Sequence, residues 1–178
     1  MNKIFRFKLI FYIYLFLLNV ESYNGRVVTV RNNDENFKNF KNIINGIQND
    51  KNGLIIKFED MEYDMTEIGY SIDIMVNNDI TFIGNSKGTI FYYKNKKKGT
   101  FNFQISNQNS VIKFENIIFD NVGNDIDNIS VIYLYFHSSN NSVILNNCTF
   151  KNIYIPTMNI KSDNTDNSLI LFNHCNFL

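Results

Sequence analysis

The segment Ser110–Asn121 (SVIKFENIIFDN) decides the fold because it recurs twice downstream, as SVILNNCTFKN at Ser142–Asn152 and SLILFNHCNFL at Ser168–Leu178. Each copy is a β-branched or aliphatic run, then polar residues around an asparagine, then two apolar residues two positions apart that end on Phe. A looser copy, ITFIGN, lies at Ile80–Asn85. The closing phenylalanines are spaced by 37, 31 and 27 residues, counted on Phe82, Phe119, Phe150 and Phe177. A period of this length predicts stacked supersecondary units rather than a conventional globular core.

Alternation within the copies predicts which side chains face inward. In the first copy, Lys113 and Glu115 will not face a dry core, so Ile112 and Phe114 point in. The chain then turns at Asn116, and the pair Ile117 and Phe119 points in again, as do the equivalent pairs Cys148/Phe150 and Cys175/Phe177. We therefore expect like residues to stack on like along the interior.

A helix is predicted before this region. Within Glu35–Gln48 the apolar residues are spaced by three and four, which is typical of one buried helical face: Phe37, Phe40, Ile43, Ile44 and Ile47. A short strand, Val27–Val30, precedes it. From Leu54 onward short strands alternate with linkers rich in Asn, Asp, Ser, Lys and Gly; among those expected are Thr89–Tyr92 and Ile153–Ile155.

The order of strand, asparagine corner and then [IC]-x-F-x-N resembles the right-handed parallel β-helix of the pectin-lyase-like superfamily. The predicted fold is thus all-β, a right-handed parallel β-helix with an N-terminal capping helix, because such solenoids close their N-terminal end with an amphipathic helix. The resemblance starts near Val27 and says little about activity, since one fold hosts many functions. A β-sandwich or jelly roll competes, but its hairpin signal Asn-Gly occurs only before the strand region, at positions 24, 45 and 52.

The N-terminus predicts secretion. Residues 1–8 carry three positive charges, Leu9–Val20 is an apolar run of twelve residues, and Val20-Glu-Ser22 suits signal cleavage. A membrane-spanning helix needs roughly 18 apolar residues, so an uncleaved anchor or a buried strand is the weaker interpretation. We expect a signal peptide over 1–22, an N-terminal strand and capping helix over 23–53, and β-helix coils over 54–178, with a secreted, extracellular location.

This route would glycosylate exposed N-x-[ST] sites. Three are present, at Asn128, Asn140 and Asn147. Asn128 and Asn140 lie in polar stretches between strands and are the expected glycosylation sites. Asn147 lies within the repeat, beside a residue expected to point inward, and should be modified less readily.

Charge argues against nucleic acid as a partner. The whole chain has no net charge, and removal of residues 1–22 leaves 14 basic and 16 acidic side chains. We also expect no membrane contact after signal removal.

The two cysteines, Cys148 and Cys175, are equivalent positions in the repeat. Secretion favours a disulfide. However, side chains on adjacent parallel strands about 4.8 Å apart point the same way, whereas a relaxed disulfide needs converging ones. Two buried free thiols are therefore the preferred interpretation, and a metal site with His174 is disfavoured.

Catalytic motifs are incomplete. Asn164-Thr165-Asp166 matches the first motif of the polygalacturonase-type glycosidases that the resemblance suggests, but the further acidic, histidine and arginine motifs of those enzymes are missing. Asp120, Asp125 and Asp127 could hold Ca²⁺ as in pectate lyases, although solvated loop acids explain them as well. We assign no catalytic, metal or cofactor residue.

Tyr133 and Tyr135 are the candidate binding residues. They alternate with Ile132, Leu134 and Phe136, so they should stand on the outer sheet face, where their rings could stack on sugars. The sequence thus favours a secreted, non-catalytic β-helix that serves as an extracellular or cell-surface structural or binding module, with cell-wall polysaccharide as the candidate partner. The alternative is a fragment of a pectin-lyase-like or polygalacturonase-like polysaccharide-degrading enzyme.

The last copy of the repeat carries no polar cap, whereas solenoids need capped ends. We therefore expect either a truncated β-helix or a C-terminal coil that docks onto another chain.

Overall fold

The computed structural model describes residues 25–32, 35–47, 53–69, 71–123, 130–163 and 167–178. The expected signal peptide, the sequon at Asn128, the acidic residues Asp125 and Asp127 and the motif Asn164–Asp166 lie outside the described residues.

Fifteen strands of the described chain form three parallel sheets. Sheet A contains β1 (Arg26–Val30), β2 (Leu54–Phe58), β5 (Ile80–Ile83), β8 (Val111–Glu115), β11 (Ser142–Asn146) and β14 (Leu169–Asn173). Sheet B contains β3 (Glu62–Asp64), β6 (Thr89–Lys96), β9 (Ile117–Val122), β12 (Thr149–Ile153) and β15 (Asn176–Phe177). Sheet C contains β4 (Ser71–Val76), β7 (Thr100–Ile105), β10 (Ile132–Phe136) and β13 (Met158–Ser162). From β2 onward the chain visits A, B and C in turn and then starts again, which makes a parallel β-helix of about 5 turns and confirms the predicted fold class.

The predicted faces are confirmed in the interior. Ile112, Phe114, Ile117 and Phe119 are all buried, and equivalent residues lie in register on successive coils. Aromatic rings form ladders through the centre because the strands are parallel and in register. The solenoid therefore has one continuous core along its axis.

The looser copy of the repeat was matched to the wrong strand. Phe82 lies in sheet A and stacks on Phe114, with ring centroids 4.7 Å apart, whereas the sheet B partner of Phe119 is Phe91. The reason is a longer corner: a turn closed by the Gly88 N–H on the Asn85 carbonyl (3.0 Å) intervenes between β5 and β6, where later coils need only one or two residues.

Asparagine occupies the tight corners, as its placement after each strand suggested. Asn116 and Asn147 have φ of 57° and 51°, a left-handed conformation that asparagine tolerates better than most residues. His174 has φ of 53° at the same corner of the last coil.

The N-terminal helix is present but is interrupted at Asn39. It comprises α1 (Glu35–Lys38) and α2 (Phe40–Ile47), and backbone bonds from Asn39 to Glu35 and from Ile43 to Asn39 join the two. Phe40 is buried within 5.7 Å of Phe58 and 6.5 Å of Phe101, measured between ring centroids. The helix therefore covers the N-terminal end of the aromatic core, as predicted.

One expected strand is wrong. Ile153 ends β12 and Ile155 is buried in the turn that follows, so Ile153–Ile155 is not a separate strand. The next strand is β13, which the sequence did not predict because its residues, MNIKS, are mostly polar. It forms because β10 offers backbone groups over its whole length.

The two cysteines follow the ladder that begins at Ile117. Both are free thiols in the structure, Cys148 buried and Cys175 half-buried. The Cys175 Sγ lies 3.3 Å from the Leu145 carbonyl oxygen. Burial raises the pKa of Cys148 to about 12, so its thiolate is disfavoured.

Candidate functional site

The outer face of sheet C carries the two tyrosines that the sequence singled out. In β10 the side chains of Ile132, Leu134 and Phe136 are buried, while Tyr133 and Tyr135 point outward and are partly exposed. Successive outward side chains on one strand lie about 7 Å apart. The two tyrosines are therefore neighbours on one surface.

Register places polar side chains on both sides of each tyrosine. Tyr133 lies between Asn102 and Asn159, and Tyr135 lies between Gln104 and Lys161. Neighbouring strands are about 4.8 Å apart, so these side chains share one surface. We call this surface the tyrosine face and define it by Asn102, Gln104, Tyr133, Tyr135, Asn159 and Lys161.

A charged cluster fixes Tyr135. Its hydroxyl donates to Asp163 Oδ1 (2.5 Å), His137 Nδ1 lies 2.7 Å from Asp163 Oδ2, and Lys161 Nζ lies 4.5 Å from the centre of the tyrosine ring. The hydrogen bonds from Tyr135 and His137 lower the pKa of Asp163, and the bond to Asp163 raises the pKa of Tyr135. Because the imidazole ring is also only 4.0 Å from the Tyr135 ring, much of Tyr135 is already in contact with protein.

A second charged group borders the tyrosine face at β4. The Asp73 carboxylate accepts hydrogen bonds from Lys41 Nζ (2.7 Å), Ser71 Oγ (2.9 Å) and Asn102 Nδ2 (2.9 Å). Desolvation raises the pKa of Asp73, but these bonds outweigh it and hold the pKa below its usual value. The bond to Asp73 also orients the Asn102 amide.

The sequence did not predict that Tyr135, His137 and Asp163 form a cluster. None of His137, Lys161 and Asp163 is among the candidate residues of the sequence analysis. The available signal was the period itself, because Asp163 follows His137 by 26 residues, about one coil.

The described sequons lie at corners. Asn140 is exposed with φ of 62°, between β10 and β11. Asn147 is also exposed, between β11 and β12, and its Nδ2 donates to Asn116 Oδ1 at 3.4 Å. The structure therefore leaves both side chains reachable from solvent.

An open groove of about 520 Å³ follows the corner between sheets A and B. It is lined by Lys113, Glu115, Asn146, Asn147, Phe172, Asn173 and His174. Lys113 and Glu115 pair at 3.1 Å, and Asn173 Nδ2 donates to Asn146 Oδ1 at 2.9 Å. Its polar groups largely bond to one another, so we place the candidate site on the tyrosine face.

Within the described ranges, no group of three or more His, Cys, Asp or Glu residues is arranged to hold a metal ion. The helices described there are all too short to cross a membrane.

Comparison with known proteins gives no relative: no family model, no curated protein and no solved structure matches this chain. Its site must therefore be judged on its own chemistry.

Proposed function

We propose that this chain is a secreted, non-catalytic β-helix protein that binds polysaccharide through the tyrosine face, as a structural or binding module outside the cell. The observation that carries the proposal is the register of Tyr133 and Tyr135 on β10, between strands that present amide and ammonium groups. Tyrosine rings offer apolar faces to the C–H surface of a sugar, and amides both donate and accept hydrogen bonds with its hydroxyls.

The proposed location rests on the N-terminal segment. Basic residues, then the apolar run Leu9–Val20, then small residues form the layout of a secretory signal. The exposed sequon Asn140 is compatible with passage through a glycosylating compartment.

Polysaccharide degradation by a pectin-lyase-like or polygalacturonase-like chain is the second candidate. The cluster of Tyr135, His137 and Asp163 favours it, because phenol, imidazole and carboxylate are the groups that general acid–base catalysis uses. These three groups bond mainly to one another, which also suits a purely structural role.

One experiment separates the two candidates. The secreted chain is incubated with a panel of neutral and acidic polysaccharides, with and without Ca²⁺, and both retention and release of reducing or unsaturated ends are measured. Retention without turnover supports the binding module. Turnover that is lost in His137→Ala supports the enzyme and rejects the first proposal.

Matched variants locate the binding surface. Tyr133→Ala should weaken retention, whereas Tyr154→Ala should not, because Tyr154 is 61% exposed but lies outside the tyrosine face. Equal loss in both variants would contradict binding at this face.

A further inference from the structure

The charged groups around the tyrosine face pair with one another, and this pairing indicates which class of ligand the face binds. The two carboxylates that border the face are Asp73 and Asp163, and the two ammonium groups are Lys41 and Lys161. Lys41 is bonded to Asp73, and Lys161 lies over the Tyr135 ring beside the Asp163 cluster. The two carboxylates and the two ammonium groups balance in charge.

An anionic polymer needs positive side chains that are not already paired with carboxylates. Uronate or sulfate groups are bound by clustered Arg and Lys side chains that remain available for charge-assisted bonds. Apart from Lys161, the groups that β7, β10 and β13 present here are uncharged amides and phenols. These groups recognise hydroxyls.

The two tyrosines also differ in what they can do. Tyr135 is held by Asp163 and contacted by His137 and Lys161, so it acts as a fixed support. The Tyr133 side chain makes no hydrogen bond or ring contact with the other residues that the structure describes, and its ring is therefore the one that a ligand can cover. In-register amides flank it on both sides, at Asn102 and Asn159.

Resting on the function proposed above, we infer that the ligand is an uncharged polysaccharide. One sugar stacks on Tyr133 while hydroxyls of this sugar and its neighbours bond to the exposed amide of Asn159. The chain of the ligand runs along the solenoid axis, because successive coils are about 4.8 Å apart, comparable to the length of one pyranose residue. Binding then depends little on salt, since no ion pair forms.

The test is affinity electrophoresis of the secreted chain in gels that contain a soluble β-glucan, a galactomannan or polygalacturonate, each at low and high salt. We expect retardation by a neutral polymer, with less than about twofold change in affinity across salt. Tyr133→Ala should weaken it about tenfold, whereas Tyr154→Ala, at an exposed residue outside the tyrosine face, should leave it within about twofold. Circular dichroism melting of each variant shows that the fold is kept.

The outcomes are distinguishable. Stronger, salt-sensitive retardation by polygalacturonate that is lost in Lys161→Gln would overturn the neutral-ligand inference and leave polysaccharide binding intact. Retardation that persists unchanged in folded Tyr133→Ala would overturn the assigned stacking residue. Absence of retardation by every polymer would reject the proposed function, and this inference with it.

Discussion

The ring of Phe150 lies over the ring of Phe119, with centroids 4.8 Å apart and planes 3° from parallel, although 31 residues separate the two in the chain. Phe177 continues the stack on the other side of Phe150 at 5.2 Å. The sequence repeat therefore contributes to the free energy of unfolding, because each coil buries its aromatic ring against the ring of the next coil.

Phe150→Ala should therefore lower the free energy of unfolding by about 3–5 kcal/mol, since it leaves a cavity between two rings. Phe177→Ala is the matched control. Its ring is 57% exposed, so the loss should be less than about half as large. Chemical denaturation measures both, and equal losses would mean that the stack is not a source of stability.

Gly84→Ala should cost about 3 kcal/mol or more, because its Cβ would lie 2.1 Å from the backbone oxygen of Asn116, which cannot move aside. Gly46 in α2 is the matched control: nothing lies within 4 Å of a Cβ there, and Gly46→Ala should stabilise the helix by about 0.5–1 kcal/mol. Melting temperatures that fall equally in both variants would contradict the close approach at the corner.

The corner between β5 and β6, which contains Gly84, shows what the sequence could and could not predict. Alternation in Val111–Glu115 predicted the faces, because charge and burial exclude one another. The length of a corner carries no such signal, so the equivalence of Phe82 and Phe119 was wrong.

The cluster around Asp163 was missed for a related reason. Two side chains on neighbouring coils meet only when the residues between them add up to one turn, and His137 and Asp163 satisfy this without any local pattern. Similarly, β13 is held by pairing with β10 rather than by its own propensity.

Tyr93→Phe should stabilise the protein. The Tyr93 side chain is fully buried, and its hydroxyl has no hydrogen-bond partner among the described residues. Removing the hydroxyl should raise the free energy of unfolding by about 1–3 kcal/mol. Tyr63→Phe should have the opposite sign, because the Tyr63 hydroxyl donates to the Val30 carbonyl at 2.6 Å.

These buried groups also predict alkaline unfolding. Burial raises the pKa of Tyr93 far above its usual value, and burial raises the pKa of Tyr63 to about 12. The native state thus holds these protons more tightly than the unfolded chain, where tyrosine titrates near 10.0. The free energy of unfolding should keep its full value below that pH and decrease as the pH rises toward 12. The decrease should be smaller in Tyr93→Phe. A melting temperature independent of pH over this range would contradict the burial.

Asn140 should carry an N-linked glycan when the chain is made in a glycosylating secretory host. Asn140→Gln and Ser142→Ala should each remove the same glycan, seen as one step in mass that enzymatic deglycosylation also removes. Asn109→Gln is the matched control and should leave the glycan in place, because Asn109 has φ of 60° and is exposed but is not in a sequon. A mass unchanged by Asn140→Gln would show that this site is not used.

The coil formed by β13, β14 and β15 exposes side chains that earlier coils bury. Phe172 and Phe177 occupy interior positions by register with Leu145 and Phe150, yet they are 43% and 57% exposed. The opposite end of the solenoid is covered by the helix that carries Phe40. Contact between two copies through the coil that contains Phe177 would cover these rings and bring unpaired strand edges together.

We predict that residues 23–178, expressed alone, self-associate through this surface. Sedimentation velocity should show a dimer or larger species whose fraction rises with concentration, because burial of apolar surface drives the contact. The double variant Phe172→Asp, Phe177→Asp should be monomeric with an unchanged circular dichroism spectrum. Val27→Asp, which adds a charge at an exposed residue of the opposite end, should associate like the parent chain. A parent chain that stays monomeric at all concentrations would contradict association through this coil.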